Sequence, residues 1–457
     1  MSALWTSDEI AAAVGGVASG AFSATSVTFD SREVEAGSLF IALKGEMTDG
    51  HRFVAKALDS GAAGVIVSDP VDGPHVRVSD TMAALNALGV ASRVRSSAKR
   101  IGVTGSVGKT GTKEALADAL ARANKGAVHR SIKSYNNHTG VPLSLSRMPR
   151  EAVFGVFEMG MNHFGELAEL TQLVRPHVAL VTTIAPAHIE YFGTEERIAD
   201  AKGEIFGGLE PGGVAIIPYD SAHRERLIAA ALPHAARIVT FGRAPEADVT
   251  ALEVIAKTDG THILARLPGA ELSFTLSQPG DHWVSNALGV IAAVQAVGGD
   301  LAAAGLALAD MAGLAGRGAR HSITLVDGGS ATLLDESYNA NSASMRATLS
   351  VLASLPAQRR IAVLGEMREL GAASELLHAE LAGPVVGAGV ELAILVGEGM
   401  APLARALAGQ CETVHVATAD AAHETLKGAI RGGDALLIKG SNAVGLSRIV
   451  NALTSGS

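Results

Sequence analysis

The chain has 457 residues, of which 48% are hydrophobic and 18% are charged, and its formal net charge is −9. These values exclude an intrinsically disordered chain, and the acidic balance argues against a nucleic-acid partner, which requires a basic surface. The length exceeds what one hydrophobic core organises and predicts about three domains. The single cysteine, Cys411, excludes a disulfide within the chain and suits a reducing cytoplasm. We expect the protein to be a monomer there.

Two apolar regions bear on targeting. The first residues, MSALWTSDEIAAAV, lack the basic region and the long apolar core of a secretory signal, so we expect none. Residues 286–314 are nearly all Ala, Gly, Leu and Val, but Gly298, Gly299 and Asp300 interrupt them. A membrane-spanning helix needs about 20 unbroken apolar residues. We therefore predict two alanine-rich helices joined at the glycine pair, and no membrane segment.

Residues 1–98 predict a small N-terminal α/β domain. The runs TSVTFDSR, GSLFIAL and AAGVIVSD are typical of strands, and residues 51–60 are typical of a helix. Ser31, Arg32 and His51 follow strand ends, where ligands bind in α/β sheets. Arg32 and His51 therefore suit an anionic ligand, although polar loops without a function explain the pattern equally well.

Residues 99–316 predict a central domain, and its first motif is IGVTGSVGKTGTKE at residues 101–114. A buried strand leads into a tight turn of Gly105, Ser106, Val107 and Gly108, and a helix follows. Glycines let backbone N–H groups approach phosphate oxygens, and a helix N-terminus favours negative charge. Lys109 is therefore predicted to reach the β- and γ-phosphates of a nucleotide, and the Thr110 hydroxyl to bind Mg²⁺.

The glycine spacing of this motif departs from the common phosphate-loop pattern. Gly105 stands three positions before Gly108, not five. An ordinary strand-to-helix turn is the alternative interpretation, but the strand, turn and helix signals agree. Further along, alternating polar and apolar residues at 247–276 predict an antiparallel hairpin.

Three more residues of the central domain are candidates for metal binding. Glu158 follows the strand EAVFGVF and suits Mg²⁺, which prefers hard oxygen ligands, or else it caps the next helix. His188 ends the strand HVALVTTIAPAH. Lys202 lies among apolar residues in AKGEIF, and a buried amine loses its charge readily. A neutral amine reacts with CO₂ to give an anionic, metal-binding carbamate. The alternatives are a surface lysine, or a lysine that pairs with Glu204 or directly with the phosphates of the nucleotide.

Polar residues also mark a late helix and the C-terminal domain. His282 and Asn286 lie at the start of a helix. They are either polar residues of a helix N-terminus without a function or contacts to a nucleotide base. Asp335 and Asn339 close a strand, where turn geometry alone also explains the asparagine. Strands alternate with helices in residues 317–457, which is typical of a parallel, doubly wound sheet. The predicted strands are 332–336, 360–364, 392–396 and 435–438.

An ordered set of segments resembles the Mur ligases of bacterial cell-wall synthesis over nearly the whole chain. The segments are TGSVGKT, SYNNHTGVP, EMGMNHFGEL, APAHIEYFGT, AKGEIF, GDHWVSNA and GRGAR. Within the family, DESYNANSASM and LGEMRELG resemble the ligases that add D-alanyl-D-alanine. The DNPR signature of the sister ligase for a diamino acid is absent from the sequence. Ser342, Glu336 and Thr139 depart from the family pattern.

The resemblance implies the fold class and the reaction. The fold is α/β with three domains: a small N-terminal α/β domain that binds the UDP substrate (1–98), a central P-loop ATPase-like sheet that binds ATP (99–316) and a C-terminal Rossmann-like, doubly wound sheet (317–457). ATP, with Mg²⁺, converts the terminal carboxylate of UDP-N-acetylmuramoyl-tripeptide into an acyl phosphate. The amine of D-Ala-D-Ala then attacks the acyl phosphate, which gives a peptide bond.

The resemblance also implies a role for each candidate residue, with Lys109 as the main cation at the phosphates. Thr110 and Glu158 belong to a first Mg²⁺, and His188 and carbamylated Lys202 to a second. The nucleotide contacts are Asn137, His282 and Asn286 around the adenine, Arg317 at the γ-phosphate and Asp335 at the ribose. The substrate contacts are Ser31, Arg32 and His51 at the uridine nucleotide, and Asn339.

Two kinds of alternative function stay open. Another Mur ligase or a folylpolyglutamate synthase would use the same chemistry, but the uridine-type N-terminal domain argues against the synthase. A nucleotide-regulated binding protein without catalysis belongs to a different class. Lys109, Glu158, His188 and Lys202 together argue against it, because a sensor needs no second metal.

Overall fold

The computed structural model describes residues 3–45, 48–187, 189–257, 260–325 and 328–455. Within these ranges the chain forms three α/β units, each built around its own larger sheet. This arrangement confirms the predicted fold class. None of the helices in the described ranges is both long and apolar enough to cross a bilayer.

The N-terminal unit combines a mostly parallel sheet with a two-stranded ribbon. Its strands are β1 (Trp5–Thr6), β2 (Val17–Ala18), β3 (Ser23–Ala24), β4 (Ser26–Thr28), β5 (Ser38–Ile41), β6 (Gly64–Val67) and β7 (His75–Arg77). Its helices are α1 (Ser7–Val14), α2 (Val54–Asp59) and α3 (Thr81–Val94). Strands β4 to β7 are parallel, and β2 adds an antiparallel edge. The helix predicted at 51–60 is a 3₁₀ turn, Gly50–Phe53, followed by α2, and the Asp49 side chain caps the turn by accepting from the His51 N–H.

The central unit has the largest sheet. Its strands are β8 (Lys99–Thr104), β9 (Val128–Arg130), β10 (Phe154–Glu158), β11 (Val178–Val181), β12 (Val214–Pro218), β13 (Arg237–Gly242), β14 (Val249–Lys257), β15 (Gly260–Leu267) and β16 (Ala270–Leu276). Its helices are α4 (Lys109–Ala123), α5 (Gly140–Ser146), α6 (Glu166–Val174), α7 (Ile189–Phe192), α8 (Glu195–Gly203), α9 (Arg224–Ala231), α10 (Asp281–Ala296) and α11 (Leu301–Ala309). The sheet order is β16-β15-β14-β13-β12-β11-β8-β10-β9.

Strand direction in this sheet positions the candidate site. Strands β8 to β14 are parallel, so the carboxyl ends of β8, β10 and β11 lie together at one edge. Strands β14, β15 and β16 pair antiparallel, as the alternating pattern predicts. Helices α4, α10 and α11 cover one face, and α5, α6, α8 and α9 cover the other. Because both faces are covered, the parallel strands are nearly continuous apolar runs.

Helices α10 and α11 are the two alanine-rich helices predicted from the sequence. They end and begin on either side of the Gly298-Gly299 pair, and the Asp300 side chain caps α11 by accepting from the Ala303 N–H at 3.0 Å. The apolar stretch is therefore part of the core of the central unit.

The C-terminal unit is a doubly wound sheet with one antiparallel edge. Its strands are β17 (Ala319–Thr324), β18 (Ser330–Glu336), β19 (Arg359–Gly365), β20 (Val390–Val396), β21 (Glu412–Val416) and β22 (Asp434–Lys439). Its helices are α12 (Ser342–Ser354), α13 (Ser374–Ala379), α14 (Ala382–Gly387), α15 (Ala401–Ala406), α16 (Ala419–Ala429) and α17 (Ser447–Thr454). The order is β17-β18-β22-β19-β20-β21, and only β17 runs antiparallel to its neighbour within the described residues. The predicted strands are present, and the unpredicted β17 and β21 form the two edges.

Candidate active site

The phosphate loop connects β8 to α4. Gly108 is the N-cap of α4 and has a left-handed backbone, with φ at 86°. A Cβ atom at Gly108 would lie 3.0 Å from the Asn286 amide. Gly105 has φ at 147°, and a Cβ atom there would lie 1.9 Å from Thr182 Oγ1. Space and backbone conformation therefore both require glycine at these two positions.

Residues that follow β11 hold the phosphate loop in place. Thr182 Oγ1 donates to the Val107 carbonyl at 2.6 Å, and the Ser106 N–H donates to the Thr183 carbonyl at 2.8 Å. Ser106 Oγ donates to the Ala185 carbonyl at 3.0 Å. These bonds shape the cradle within the protein itself. Thr182 was not predicted as a site residue, although its place directly after a buried strand is a usable signal.

Gly105→Ala is expected to weaken nucleotide binding about tenfold to hundredfold, the equivalent of the usual cost of a strained backbone residue. The added methyl group would overlap Thr182 Oγ1 and displace the loop. Calorimetric titration with ADP measures the effect. Gly428→Ala is the matched control, because a Cβ atom there meets nothing within 4 Å. Equal ADP affinity in the Gly105 variant and the wild type would contradict this prediction.

Lys109 is the first residue of α4, and its side chain turns back over the loop. Its Nζ donates to the Gly105 carbonyl at 2.7 Å. Burial lowers the pKa of the Lys109 amine, while the Glu158 carboxylate acts in the opposite direction. A phosphate above the loop would offer this amine a charged acceptor, which binds an ammonium more strongly than a carbonyl does.

Thr110 and Glu158 supply oxygens suited to a metal ion. Thr110 Oγ1 and Glu158 Oε2 are buried and have no hydrogen-bond partner among the described residues. The other carboxylate oxygen, Glu158 Oε1, accepts from Asn136 Nδ2 at 2.7 Å. Unpartnered buried polar atoms are unfavourable, and hydroxyl and carboxylate oxygens are the hard ligands that Mg²⁺ prefers. This donor set therefore fits Mg²⁺ beside the phosphate loop.

Lys202 lies at the end of α8 and is 1% exposed, so it is not a surface lysine. Its Nζ lies 3.7 Å from Met161 Sδ. Pairing with Glu204 is also wrong, because that carboxylate accepts backbone N–H groups at the start of α6, at 2.9 and 3.2 Å. Burial, helped by the charge of Lys109, moves the pKa of the Lys202 amine well below its ordinary value. The site thus favours a neutral amine. His188, the other residue predicted for this metal, lies outside the described residues.

A cavity of about 330 Å³ lies between the phosphate loop and the C-terminal unit. It brings together candidates from distant parts of the sequence. The predicted residues that line it are Ser106, Val107, Gly108, Lys109, Glu158, His282, Asn286, Arg317 and Asn339. Gly105 and Thr110 belong to the same loop and helix but do not line the cavity. Burial and the nearby charge of Lys439 lower the pKa of His282 to about 4, so its ring is neutral at pH 7.

Arg317 reaches the cavity from the segment that precedes β17. Its guanidinium lies 4.2 Å from the ring centroid of Tyr338, and Nη2 donates to Ser134 Oγ at 3.3 Å. Lys439 Nζ, also in the cavity wall, donates to the Asn339 carbonyl at 2.9 Å and to Glu336 Oε2 at 3.2 Å. The C-terminal unit therefore presents two cations to the side of the cavity opposite the phosphate loop.

Several lining residues were not predicted from the sequence. They are Ser134, Asn136, Trp283, Tyr338 and Lys439. Ser134, Asn136 and Trp283 come from the central unit, and Tyr338 and Lys439 come from the C-terminal unit, so packing between the two units brings them together. Asn136 and Lys439 stand in segments, SYNNHTGVP and IKGSNAVG, that the sequence marks as polar loops.

Two residues that were expected to contact the nucleotide form hydrogen bonds with backbone N–H groups instead. Asp335, expected at the ribose, is buried, and its carboxylate accepts from the Gly316 N–H at 2.6 Å and the Ser337 N–H at 3.1 Å. Asn137, expected near the adenine, accepts from the Gly140 N–H at 2.9 Å at the start of α5. In the described part of the chain, neither side chain lines the nucleotide cavity.

The N-terminal candidates lie apart from this cavity. Arg32 pairs with Asp30 at 2.6 Å, and its side chain is 83% exposed. Ser31 precedes it in the same turn. His51 Nε2 accepts from the Ser68 N–H at 2.9 Å, and Nδ1 lies 2.7 Å from Asp49 Oδ1. Both ring nitrogens of His51 are therefore occupied in joining two loops.

The Gly-Lys-Thr phosphate loop lies at the carboxyl edge of a parallel sheet and faces the cations of a second α/β unit. This arrangement defines a nucleotide-dependent phosphate-loop enzyme. The chain belongs to the Mur ligase family. Models of that family match residues 103–294 as the Mur ligase middle domain and residues 321–442 as the Mur ligase, glutamate ligase domain. Residues 23–125 match the Mur ligase family catalytic domain.

The chain is similar to curated ligases and to solved structures over nearly its full length. It is 36% identical, over 93% of each chain, to the UDP-N-acetylmuramoyl-tripeptide--D-alanyl-D-alanine ligase of Escherichia coli (strain K12). It is 32% identical to the ligase of the same name from Rickettsia prowazekii, over 98% of this chain and 99% of the relative. A crystal structure of MurF from Acinetobacter baumannii matches with a TM-score of 0.85, 30% identity and 99% coverage of both chains. The family predicted from the sequence is confirmed.

Proposed function

We propose that the chain is an ATP-dependent ligase that joins D-alanyl-D-alanine to UDP-N-acetylmuramoyl-tripeptide. The products are UDP-N-acetylmuramoyl-pentapeptide, ADP and phosphate, and the reaction serves peptidoglycan synthesis. The observation that carries this proposal is the similarity, over 93% of both chains, to the Escherichia coli ligase of that name. We further propose that the chain acts as a monomer in the cytoplasm, without a nucleic-acid or membrane partner.

The reaction takes place in two steps. A carboxylate oxygen of the tripeptide attacks the γ-phosphorus of ATP, and ADP leaves. The amine of D-Ala-D-Ala then attacks the acyl carbon, and phosphate leaves with the bonding electrons while the amine loses a proton. Lys109, with the backbone N–H groups of the phosphate loop, stabilises the charge that grows on the transferring oxygens. Arg317 adds a second cation at the γ-phosphate from the other side of the cavity.

The remaining residues bind and orient the substrates. Neutral His282 and the Asn286 amide suit the adenine end of ATP, and Asn339 suits the acceptor side. We assign residues 1–98 to the UDP part of the acceptor, 99–316 to ATP and 317–457 to the final peptide-bond step. The exposed guanidinium of Arg32 can exchange Asp30 for a phosphate of UDP, and Ser31 lies beside it. His51 supports this domain by holding two loops together.

We propose Mg²⁺ at two places, of which the described residues fit the one beside the phosphate loop. Thr110 and Glu158 would hold a first ion, and His188 with Lys202 would hold a second. When bound, Mg²⁺ supplies positive charge to the phosphoryl group during transfer. For the second place, the neutral amine of Lys202 adds to CO₂: a nitrogen–carbon bond forms, a proton leaves to solvent, and the neutral side chain becomes an anionic one with two carbamate oxygens.

Mass spectrometry tests the proposed reaction directly. With UDP-N-acetylmuramoyl-tripeptide, ATP and D-Ala-D-Ala, we expect the acceptor to gain one dipeptide less one water, with one phosphate released per product. Omitting D-Ala-D-Ala should leave phosphate release near background. In a parallel reaction that supplies a shorter acceptor and a diamino acid instead, product formation would identify a different Mur ligase. Nucleotide binding without amine-dependent turnover would identify a binding protein instead.

Glu158→Gln is expected to weaken divalent-metal binding about tenfold or more, because the variant loses the anionic oxygen that has no partner among the described residues. Mn²⁺ binding, measured by electron paramagnetic resonance with ADP present, gives a readout that does not depend on turnover. Glu169→Gln, at an exposed position of α6, is the control. The prediction fails if both variants bind Mn²⁺ as the wild type does.

A further inference from the structure

Lys113 is a fully buried lysine of α4, one turn beyond Lys109. Its Nζ donates to the Ser131 carbonyl at 2.8 Å and to the Lys133 carbonyl at 3.0 Å. It also pairs with Glu114 Oε1 at 2.7 Å. These contacts use all three ammonium donors. The ammonium is therefore fully satisfied in a place where an apolar side chain would avoid the unfavourable burial of charge.

The two carbonyls belong to the loop of residues 131–137, between β9 and α5. Lys133 has φ at 51°, a left-handed conformation that residues other than glycine adopt rarely. Ser131 is tied to β10, because its N–H donates to the Val156 carbonyl at 3.0 Å. Lys113 thus bonds to the backbone on both sides of a turn that is unfavourable by itself.

The loop connects all three units of the protein. Ser134 Oγ accepts from Arg317 Nη2 at 3.3 Å, and Asn136 Nδ2 donates to Glu158 Oε1 at 2.7 Å. Tyr135 Oη donates to Glu33 Oε1 of the N-terminal unit at 3.0 Å. A shift of this loop would therefore move the partners of the metal candidate and of the linker arginine together.

We propose that Lys113 is a positioning residue for the ligase reaction, which acts by fixing the backbone of loop 131–137. The expected effect on kcat rests on the proposed function, whereas the expected effect on the backbone of loop 131–137 does not. With the ammonium in place, Asn136 holds Glu158 and Ser134 holds Arg317, so both groups are aimed at the phosphate cavity. Without it, the loop relaxes and both alignments are lost, and a misplacement of about 1 Å costs about 100-fold in rate.

Lys113→Met removes the ammonium and keeps most of the side-chain volume, and Lys125→Met is the control at an exposed lysine just after α4. We expect about 100-fold lower kcat, little change in the KM for D-Ala-D-Ala, and faster hydrogen exchange confined to residues 131–137. A folded Lys113→Met protein with wild-type kcat and wild-type exchange in this loop would overturn the proposal.

A double-mutant cycle separates positioning from general destabilisation. Asn136→Ala and Lys113→Met interrupt the same connection to Glu158, so the double variant should be hardly slower than the worse single variant. Fully additive losses would refute the shared connection. If Lys113→Met does not fold, the double variant Ser134→Ala/Asn136→Ala takes its place. That protein should show the same loss of kcat with an intact fold, and wild-type kcat would refute the role of the loop.

The failure of the proposed function would be recognised separately. In that case the wild type itself would lack D-Ala-D-Ala-dependent turnover. Calorimetric titration with ADP and Mg²⁺ then tests whether Lys113 fixes loop 131–137. The Lys113→Met protein should bind ADP about tenfold more weakly than the Lys125→Met protein, which is the equivalent of one misaligned charged contact. Equal affinity would overturn it.

Discussion

Lys109→Ala is expected to lower kcat about 10³-fold while the protein stays folded. The amine sits at the first position of α4 and is held 2.7 Å from the Gly105 carbonyl, so it is aimed at the phosphates before they bind. Charge on the transferring oxygens grows as the bond to ADP breaks. A fixed ammonium therefore stabilises the transition state more than the ground state, and kcat should fall more than nucleotide affinity.

Steady-state kinetics and calorimetric titration with ADP, performed on the same preparation, measure this difference. Lys125→Ala is the matched control, since it removes an exposed lysine just beyond the end of α4. Circular dichroism verifies the fold. A folded Lys109→Ala protein with a kcat within a few-fold of the wild type would mean that the loop binds a nucleotide without catalysing its transfer.

Lys202→Ala is expected to abolish nearly all activity, and an added short-chain carboxylate such as acetate should restore part of it. The unmodified amine is buried beside Met161 and pairs with no carboxylate among the described residues. A cation there would repel both Lys109 and a divalent metal ion at a low effective dielectric. A carbamate reverses the sign of the charge and provides oxygen ligands, and a free carboxylate can imitate it in the space left by alanine.

Carbon-13 magnetic resonance with labelled bicarbonate tests the modification without relying on turnover. The wild type should show a carbamate signal that is missing from Lys202→Ala and retained in Lys125→Ala. Activity should fall when dissolved CO₂ is removed and return when bicarbonate is added. A wild-type enzyme that keeps full activity without CO₂ and shows no such signal would exclude the carbamate.

The phosphate loop could be predicted because its determinants are local. An apolar strand, two glycines with defined spacing and a Gly-Lys-Thr sequence are neighbours in the chain, and the fold leaves them neighbours. The same holds for α10 and α11, whose separation is encoded by two glycines and the capping Asp300. The edge strands β17 and β21 were missed because they are partly exposed, and a strand with one weakly covered face lacks the continuous apolar run of a central strand.

The partners of polar side chains could not be predicted in the same way. Asp335 and Glu158 both lie at the ends of apolar strands, yet one carboxylate accepts from backbone N–H groups and the other keeps a buried oxygen that has no partner among the described residues. The difference depends on whether the chain folds back over the strand end, as the linker does over Asp335. Lys113 and Lys202 are both lysines of helices, and the sequence does not show what lies around either amine. The Ser131 and Lys133 carbonyls and the Glu114 carboxylate lie within hydrogen-bonding distance of the first amine, whereas the second lies beside Met161 Sδ.

The hydrogen bond from the Gly316 N–H to the Asp335 carboxylate couples the position of Arg317 to that of the C-terminal sheet. Because Asp335 belongs to the C-terminal sheet, the linker is fastened to that sheet one residue before Arg317. Any swing of the C-terminal domain therefore carries the guanidinium with it, away from Ser134 and out of the cavity. Under the role proposed for Arg317, ATP meets both Lys109 and Arg317 only while the C-terminal unit lies against the central unit, and this requirement would restrain ATP hydrolysis when the two units are apart.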